Sequence, residues 1–366
     1  MTRGGKTILF CTVLLAAFGV SEQIRLSDGA AAGLFGPLAA GVLSGAAAFF
    51  AMRARGGDAF RRIAPFAPFA ALAAAVALKM FGRAYRGGVF LPGGVNPMEA
   101  VKPLAAIFAA EFLAASGEAE GGEKRALHLK FCGGMALFTA SAALLNDFGL
   151  LATIALSVLC TVFAHSVFAG TLSALAACGA CALFFAFPPA HVARRMTAWL
   201  DPFSDPAGAG WQILKAQEVM IAGGVFGADF GSAARAAAYV PVASSDFVYA
   251  VAAGEWGLAG CGAIFAVYLI MAFCGLSAAS RAEDERSRLA AAATVSFICV
   301  QALLNAGGVV RAIPMTGLTL PLVSRGGSSL ATTLFMCGAL AGLASREQPS
   351  SSSPAGRRRR GRRLRF

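Results

Sequence analysis

The sequence predicts an all-α polytopic membrane protein with about ten transmembrane helices and both termini on the cytoplasmic side. Three observations predict it. Residues of the AVILMFWYC set make up 57% of the 366 positions, charged residues only 14%, and mean hydropathy is +0.68. Soluble chains run nearer 45–50% apolar and about 25% charged. The apolar residues also fall in long blocks rather than helical stripes, and blocks of roughly 17–25 residues match the ~30 Å hydrocarbon core of a bilayer. Finally, most of the Lys and Arg between blocks sit on alternate connections.

Ten blocks lie near 7–20, 30–52, 63–81, 100–115, 129–146, 149–165, 167–188, 247–276, 290–312 and 328–345. The first follows Arg3 and Lys6 and resembles a signal peptide, but no A-x-A-like site follows it, so it is read as a retained helix. Ala and Gly saturate many blocks, which suits close helix packing in lipid. Arg53, Arg55, Arg61 and Arg62, then Lys124, Arg125 and Lys130, then Arg281, Arg286 and Arg288 share one side with the N-terminus and the tail if the count is even. The connections 82–99, 190–248 and 313–327 then face outward. Arg83, Arg86, Arg194 and Arg195 break the pattern there, as expected if they pair with an anionic ligand.

Residues 1–345 therefore read as one membrane domain, with 190–248 as its long outward connection. Residues 346–366 read as a disordered, basic cytoplasmic tail, rich in Ser and Pro before an Arg run. Seven arginines fall between Arg357 and Arg365, so the net charge of +12 is largely a property of that tail. It suits an anionic lipid surface and argues against nucleic acid. The nine Cys lie mostly inside apolar blocks; the CxxC spacing of Cys178 and Cys181 reads as packing.

The long connection is rich in Gly, Pro, Asp and aromatics, which favours order, and residues 212–226 look amphipathic enough to lie at the membrane surface. Asp246 stands directly before the eighth block, with Glu255 inside it. Carboxylates at membrane depth default to a functional reading. The alternatives are that Asp246 caps the helix it precedes and that Glu255 pairs with a buried Arg or amide. The other unusual run, 307–329, breaks helical backbone with Gly307-Gly308, Pro314, Gly317, Pro321 and Gly326-Gly327. At membrane depth such backbone lines a polar cavity.

These runs together resemble the SEDS family of bacterial cell-shape and division proteins, FtsW, RodA and SpoVE. The resemblance rests on Pro314-x-Thr316-Gly317-x-x-x-Pro321-x-x-Ser324-x-Gly326-Gly327-Ser328-Ser329, on Pro241…Asp246-Phe247 with Glu255-x-Gly257, and on Asp201-Pro202…Gly210-Trp211-Gln212. Asn96-Pro97-Met98-Glu99-x-x-Lys102 and Asn146-Asp147-Phe148-Gly149 extend it upstream. It reads closer to the FtsW side, from the residues 319–327.

The resemblance implies a glycosyltransferase that polymerises lipid II, with undecaprenyl pyrophosphate leaving and configuration inverting. It implies Asp246 as the base, or as a carboxylate holding a divalent cation such as Mg or Mn. It also implies substrate contacts from Lys102, Glu99, Arg83, Arg195, Glu255, Thr316, Ser324, Ser328 and Ser329, with Lys102 and Arg83 directed at the pyrophosphate or a sugar phosphate. The implied partners are a class B penicillin-binding protein and other divisome or elongasome membrane proteins; the implied location is the bacterial inner membrane. Val242-Ala243-Ser244-Ser245 departs from the family's Glu-x-His-Thr/Ser before the Asp-Phe. That departure keeps open a weakly active scaffold, and ten spans around a polar cavity keep open a lipid II flippase.

Overall fold

The computed structural model describes residues 1–26, 32–85, 88–92, 94–186, 190–204, 210–228 and 243–346. The helices are α1 (Arg3–Leu26), α2 (Ala32–Arg55), α3 (Ala67–Phe81), α4 (Val101–Glu118), α5 (Gly121–Leu144), α6 (Phe148–His165) and α7 (Val167–Ala186). Then follow α8 (Ala190–Leu200), α9 (Trp211–Gly223), α10 (Val248–Arg281), α11 (Glu285–Val309) and α12 (Gly327–Ala344). Nine helices among the described residues are long and apolar enough to cross a membrane; α7 contributes a shorter apolar stretch, Val167–Gly179. The chain is a multi-pass helical membrane protein.

Polar residues set several helix starts. Asp147 caps α6 by accepting from the Leu150 N–H at 2.9 Å, and Asp284 caps α11 through Ser287 N–H at 2.7 Å. Helix α5 begins eight residues before its predicted apolar block, because Glu123, Lys124, Arg125, Ala126 and Leu127 are good helix formers outside the hydrocarbon zone. The connection 82–99, predicted only as a loop, contains a small antiparallel hairpin of β1 (Arg83–Tyr85) and β2 (Gly88–Phe90).

Helix α11 runs through the middle of the bundle against α4, α6, α10 and α12, and most of its length is buried. The most extensive helix pair is α2 with α12. Their backbones touch at glycines: a Cβ on Gly338 would lie 2.1 Å from the Gly45 carbonyl oxygen. Small residues permit that approach where no hydrophobic drive separates helix from lipid.

Helix α10, predicted as one unbroken block, is interrupted. Gly257 has φ +65° and ψ −169°, and the freed backbone groups are met by residues 224–228 of the long connection. Leu258 and Ala259 N–H donate to the carbonyls of Gly224 and Val225, and Ala228 N–H donates to the Gly254 carbonyl, each at 3.0 Å. The long connection thus carries helices α8 and α9 and stitches itself into a spanning helix. Just before the break Glu255 is buried and pairs with Arg25 of α1, which also bonds Glu22 at 3.1 Å. Residues 27–31, 229–242 and the basic tail from 347 onward, including Pro241 and Val242, lie outside the described residues.

A side chain at Gly257 would meet the Gly227 nitrogen and the Val225 oxygen at 2.4 Å. Gly257→Ala is expected to lower thermal stability by about 1–3 kcal/mol. Gly262→Ala, where a Cβ meets nothing within 4 Å, is expected to leave it unchanged or slightly raised. Thermal unfolding in detergent compares the two; equal midpoints would overturn the assignment of the break to Gly257.

Candidate functional site

The irregular backbone of 310–326 lies between the end of α11 and the start of α12. Backbone of this kind inside a bundle needs partners for its carbonyls. Two amides one turn apart on α11 provide them. Asn305 donates through Nδ2 to the carbonyls of Leu318 at 2.6 Å and Asp246 at 2.9 Å. Gln301 donates to the Thr319 carbonyl at 2.8 Å and accepts from Lys102 Nζ at 2.7 Å. From α1, Gln23 donates to the carbonyls of Ser244 at 3.0 Å and Val323 at 3.1 Å. Arg325 N–H donates to the Ser244 carbonyl at 2.7 Å, and the Ser324 hydroxyl bonds the Ser245 carbonyl. The residues before Asp246 and the 318–325 run are thereby fastened to each other.

Asp246 itself is half-buried at the mouth of α10. It does not cap α10, whose N-cap is Phe247 without a side-chain bond. Its carboxylate faces Gly317, where a Cβ would lie in ordinary contact, 3.7 Å from Oδ2; Gly317 has φ +72°, and that backbone angle favours glycine there. Burial raises the Asp246 pKa from 3.8 to about 6, and the neighbouring Asp147 adds to the rise, while a Ser245 hydrogen bond and the Arg195 charge oppose it. Asp147 is itself pushed upward, chiefly by burial, and senses Glu99, Lys102 and Arg195. Asp246, Asp147, Glu99, Lys102 and Arg195 thus form one electrostatic neighbourhood.

The other expected contacts divide. Lys102 is buried and bonds Glu99 Oε2 at 2.5 Å as well as Gln301, so its ammonium is largely engaged. Arg195 is exposed; its Nη1 reaches the carbonyls of Met315 at 3.3 Å and Thr316 at 3.4 Å. It is the cation of this neighbourhood that reaches solvent. Thr316 Oγ1 is buried without a hydrogen-bond partner. Arg83 is exposed on β1, opposite Phe90.

Three hydroxyls and one carboxylate expected at substrate are occupied in holding the fold. Ser324 donates to the Ser245 carbonyl and ties the two segments together, Ser328 accepts from Asn96 N–H at 2.8 Å, and Ser329 bonds Thr319 at 2.8 Å. Glu255, fully buried, joins α10 to α1 through Arg25, the pairing read as its alternative. Gln23, Gln301, Asn305 and Asp147 were not among the predicted contacts. The signal for the α11 pair was present: two amides four residues apart inside an apolar block share a helix face. Arg311 belongs here too. At φ +62° it donates to the carbonyls of Trp199 at 3.1 Å and Leu200 at 3.2 Å, docking α8 onto the 310–326 run.

For the divalent cation, no group of three or more His, Cys, Asp or Glu able to hold a metal occurs among the described residues. Among the described residues, the side chains around Asp246 therefore do not complete a ligand set for a divalent cation.

The fold and this cluster define a multi-pass membrane protein with a carboxylate, amide and cation centre at one end of its bundle. The sequence pattern of the FtsW, RodA and SpoVE family, described as cell cycle protein, matches residues 42–348, and the chain belongs to that family. It is 38% identical over 162 residues to the probable peptidoglycan glycosyltransferase FtsW of Synechocystis sp., a match covering 44% of this chain and 41% of that protein. It is 38% identical over 186 residues to the peptidoglycan glycosyltransferase RodA of Mycobacterium tuberculosis, covering 49% and 39%. Stage V sporulation protein E of Bacillus subtilis is 35% identical over 147 residues, covering 40% of each. The chain thus spans about two fifths of the length of these relatives, and the FtsW and RodA relatives match at equal identity.

In fold it is similar to a chain from a structure described as the structural coordination of polymerization and crosslinking by a peptidoglycan synthase complex, with TM-score 0.73, 22% identity and coverage of 93% of this chain and 98% of that one. Against Thermus thermophilus RodA the TM-score is 0.62 at 20% identity, covering 93% and 97%.

Because the folded-state pKa of Asp246 lies above its unfolded value, ionising it opposes folding. The penalty is absent below pH 3.8, grows as pH rises, and is complete above about 6. Asp246→Asn is therefore expected to raise the unfolding midpoint relative to wild type at pH 7.5 and to lose that advantage near pH 4. Thermal unfolding at the two pH values tests this; a pH-independent difference would contradict the buried ionisation.

Proposed function

We propose that this protein is a peptidoglycan glycosyltransferase that polymerises lipid II, acting from the outer face of the bacterial inner membrane. The observation that carries the reading is Asp246: a half-buried carboxylate with a pKa of about 6, its main chain tied to α11 by Asn305. A base poised near the working pH is ionised yet still basic enough to take a proton. In the proposed step Asp246 accepts the proton of the 4-hydroxyl of one lipid-linked disaccharide. That oxygen forms a bond to the anomeric carbon of the growing strand from the face opposite the leaving group. The bond to undecaprenyl pyrophosphate breaks, the diphosphate keeps the electron pair, and the configuration inverts.

The exposed guanidinium of Arg195 is placed to meet the departing diphosphate. Lys102, held by Glu99 and Gln301, supplies positive charge to the same neighbourhood from within the protein. A class B penicillin-binding protein is the proposed partner, with other membrane proteins of the division or elongation machinery. The family's Glu-x-His pattern before Asp246 is absent, but Ser245 hydrogen-bonds the Asp246 carboxylate from that stretch, which supports an active centre over a bare scaffold.

The test uses the full chain purified with its cognate penicillin-binding protein and fluorescent lipid II. Wild type is expected to make polymer, and Asp246→Ala and Asp246→Asn to lose about 10²–10⁴-fold in rate. Wild-type kcat/KM is expected to rise with pH through about 6 and then level. Equal polymer from all three proteins would remove Asp246 from the mechanism. Absence of polymer from wild type, with lipid II translocated across liposomes, would favour the flippase.

A further inference from the structure

At the end of the bundle opposite Asp246, where α4 ends and α5 begins, helices α3, α4 and α5 line a half-open cavity of about 890 Å³. Its volume is within the range of small-molecule sites. Its inner wall is apolar, with Phe69, Phe108, Phe112, Leu127 and Leu137. Gly133 also lines it, and a Cβ there would meet nothing within 4 Å, whereas one on the adjacent Gly134 would strike the Phe108 ring at 2.1 Å. One glycine is used for packing and the other leaves space open. An apolar cavity between spanning helices loses dispersion contacts unless something apolar fills it, and the bilayer provides chains to do so.

The polar groups at its mouth are ordered by depth. Helix α4 climbs from Phe108 through Glu111 to Glu118, while α5 descends from Glu123 through Lys130 to Gly133. Glu111 is already neutralised by Arg286 at 3.1 Å, with Arg61 at 3.4 Å. The nearest cation to the apolar wall on α5 is Lys130, and beyond it, toward the helix ends, stand Glu118 and Glu123. Lys130 and Glu123 are exposed and form no ion pair among the described residues; Glu118 shares Arg286. From the apolar wall outward the groups without an ion pair run hydrocarbon, Lys130, Glu123, with the paired Glu111 and Glu118 alongside on α4.

We propose that this cavity is a binding site for a zwitterionic phospholipid of the phosphoethanolamine type. Its acyl chains lie against Phe108 and Gly133. Its phosphate meets Lys130, with Arg61 beside it, and its terminal ammonium meets Glu123 and Glu118. An anionic headgroup would satisfy the cation but would leave the outer carboxylates facing negative charge, so the charge order selects against it. The site is independent of the glycosyltransferase reading, since it uses none of the residues around Asp246.

The full chain, purified in detergent, is titrated with phosphatidylethanolamine or phosphatidylglycerol of matched chains and bound lipid is counted by native mass spectrometry. Wild type is expected to retain one phosphatidylethanolamine with about three- to fivefold preference over phosphatidylglycerol, the scale of one exposed ion contact. Gly133→Leu, which fills the cavity, is expected to lose that bound lipid. Lys130→Gln and Glu123→Gln, both at exposed positions, are expected to erase the preference while leaving the melting temperature in lipid-free detergent unchanged. Gly133→Ala covers the case in which the leucine variant fails to fold, and is expected to weaken retention. Equal retention of both lipids, a preference for phosphatidylglycerol, or retention unaltered by the Gly133 and headgroup variants would each overturn the proposal.

Discussion

The structure depends on a requirement that lipid imposes on backbone: a carbonyl or N–H without water must find a partner in the protein. Two segments violate helical pairing, the 310–326 run and the Gly257 break, and each is answered by groups from distant sequence. Asn305, Gln301 and Gln23 serve the first; the backbone of 224–228 serves the second. Leaving a buried carbonyl unmet costs about 1–3 kcal/mol, so these bonds decide which irregular conformation the chain adopts. The position of Asp246 follows from that solution, because Asn305 bonds its carbonyl and Ser324 and Arg325 bond the two residues before it.

The arrangement separates what holds the centre from what faces a substrate. Amides and hydroxyls, neutral and short, fasten the backbone. Burial chiefly sets the ionisation of Asp246, and the charges in reach of it, Arg195 and Asp147, adjust that ionisation rather than its place. A carboxylate fixed through its own main chain needs little more than the Ser245 hydrogen bond at its oxygens, which under the proposed function suits a group that receives and releases a proton. Ser324, Ser328 and Ser329 share the same economy of roles: they read as ligand-binding hydroxyls in the sequence and act as fasteners in the fold.

The spanning helices were legible because hydrocarbon thickness dictates long apolar blocks, and those blocks remain visible through Ala- and Gly-rich composition. Asp246 was legible because a carboxylate at the mouth of such a block is rare. The Gly257 break was not, since glycine inside a membrane helix ordinarily marks packing, and only the approach of 224–228 reveals its backbone angle. The hairpin at Arg83–Tyr85 and Gly88–Phe90 was too short to register as alternation. Gln301 and Asn305 were visible as an i, i+4 pair, yet their meaning required knowing that a broken segment lay alongside. Glu255 carried a correct warning, a carboxylate at membrane depth, but its partner Arg25 lies 230 residues away in sequence.

The two ends of the bundle are held by different kinds of force, and they will respond differently to their medium. Around Asp246 the backbone is fastened mainly by the uncharged side chains of Asn305, Gln301, Gln23 and Ser324, and the Lys102–Glu99 pair there is mostly buried, so dissolved ions have less to screen. At the far end Arg286 links Glu111 to the exposed Glu118, and Arg346 reaches Asp284 at 3.5 Å from a partly exposed position. Ion pairs so placed weaken as the Debye length shrinks, from about 10 Å at 0.1 M salt to about 3 Å at 1 M. Rising ionic strength therefore loosens one end of the molecule more than the other, and α11, which carries Arg286 near one terminus and Asn305 near the other, spans that difference.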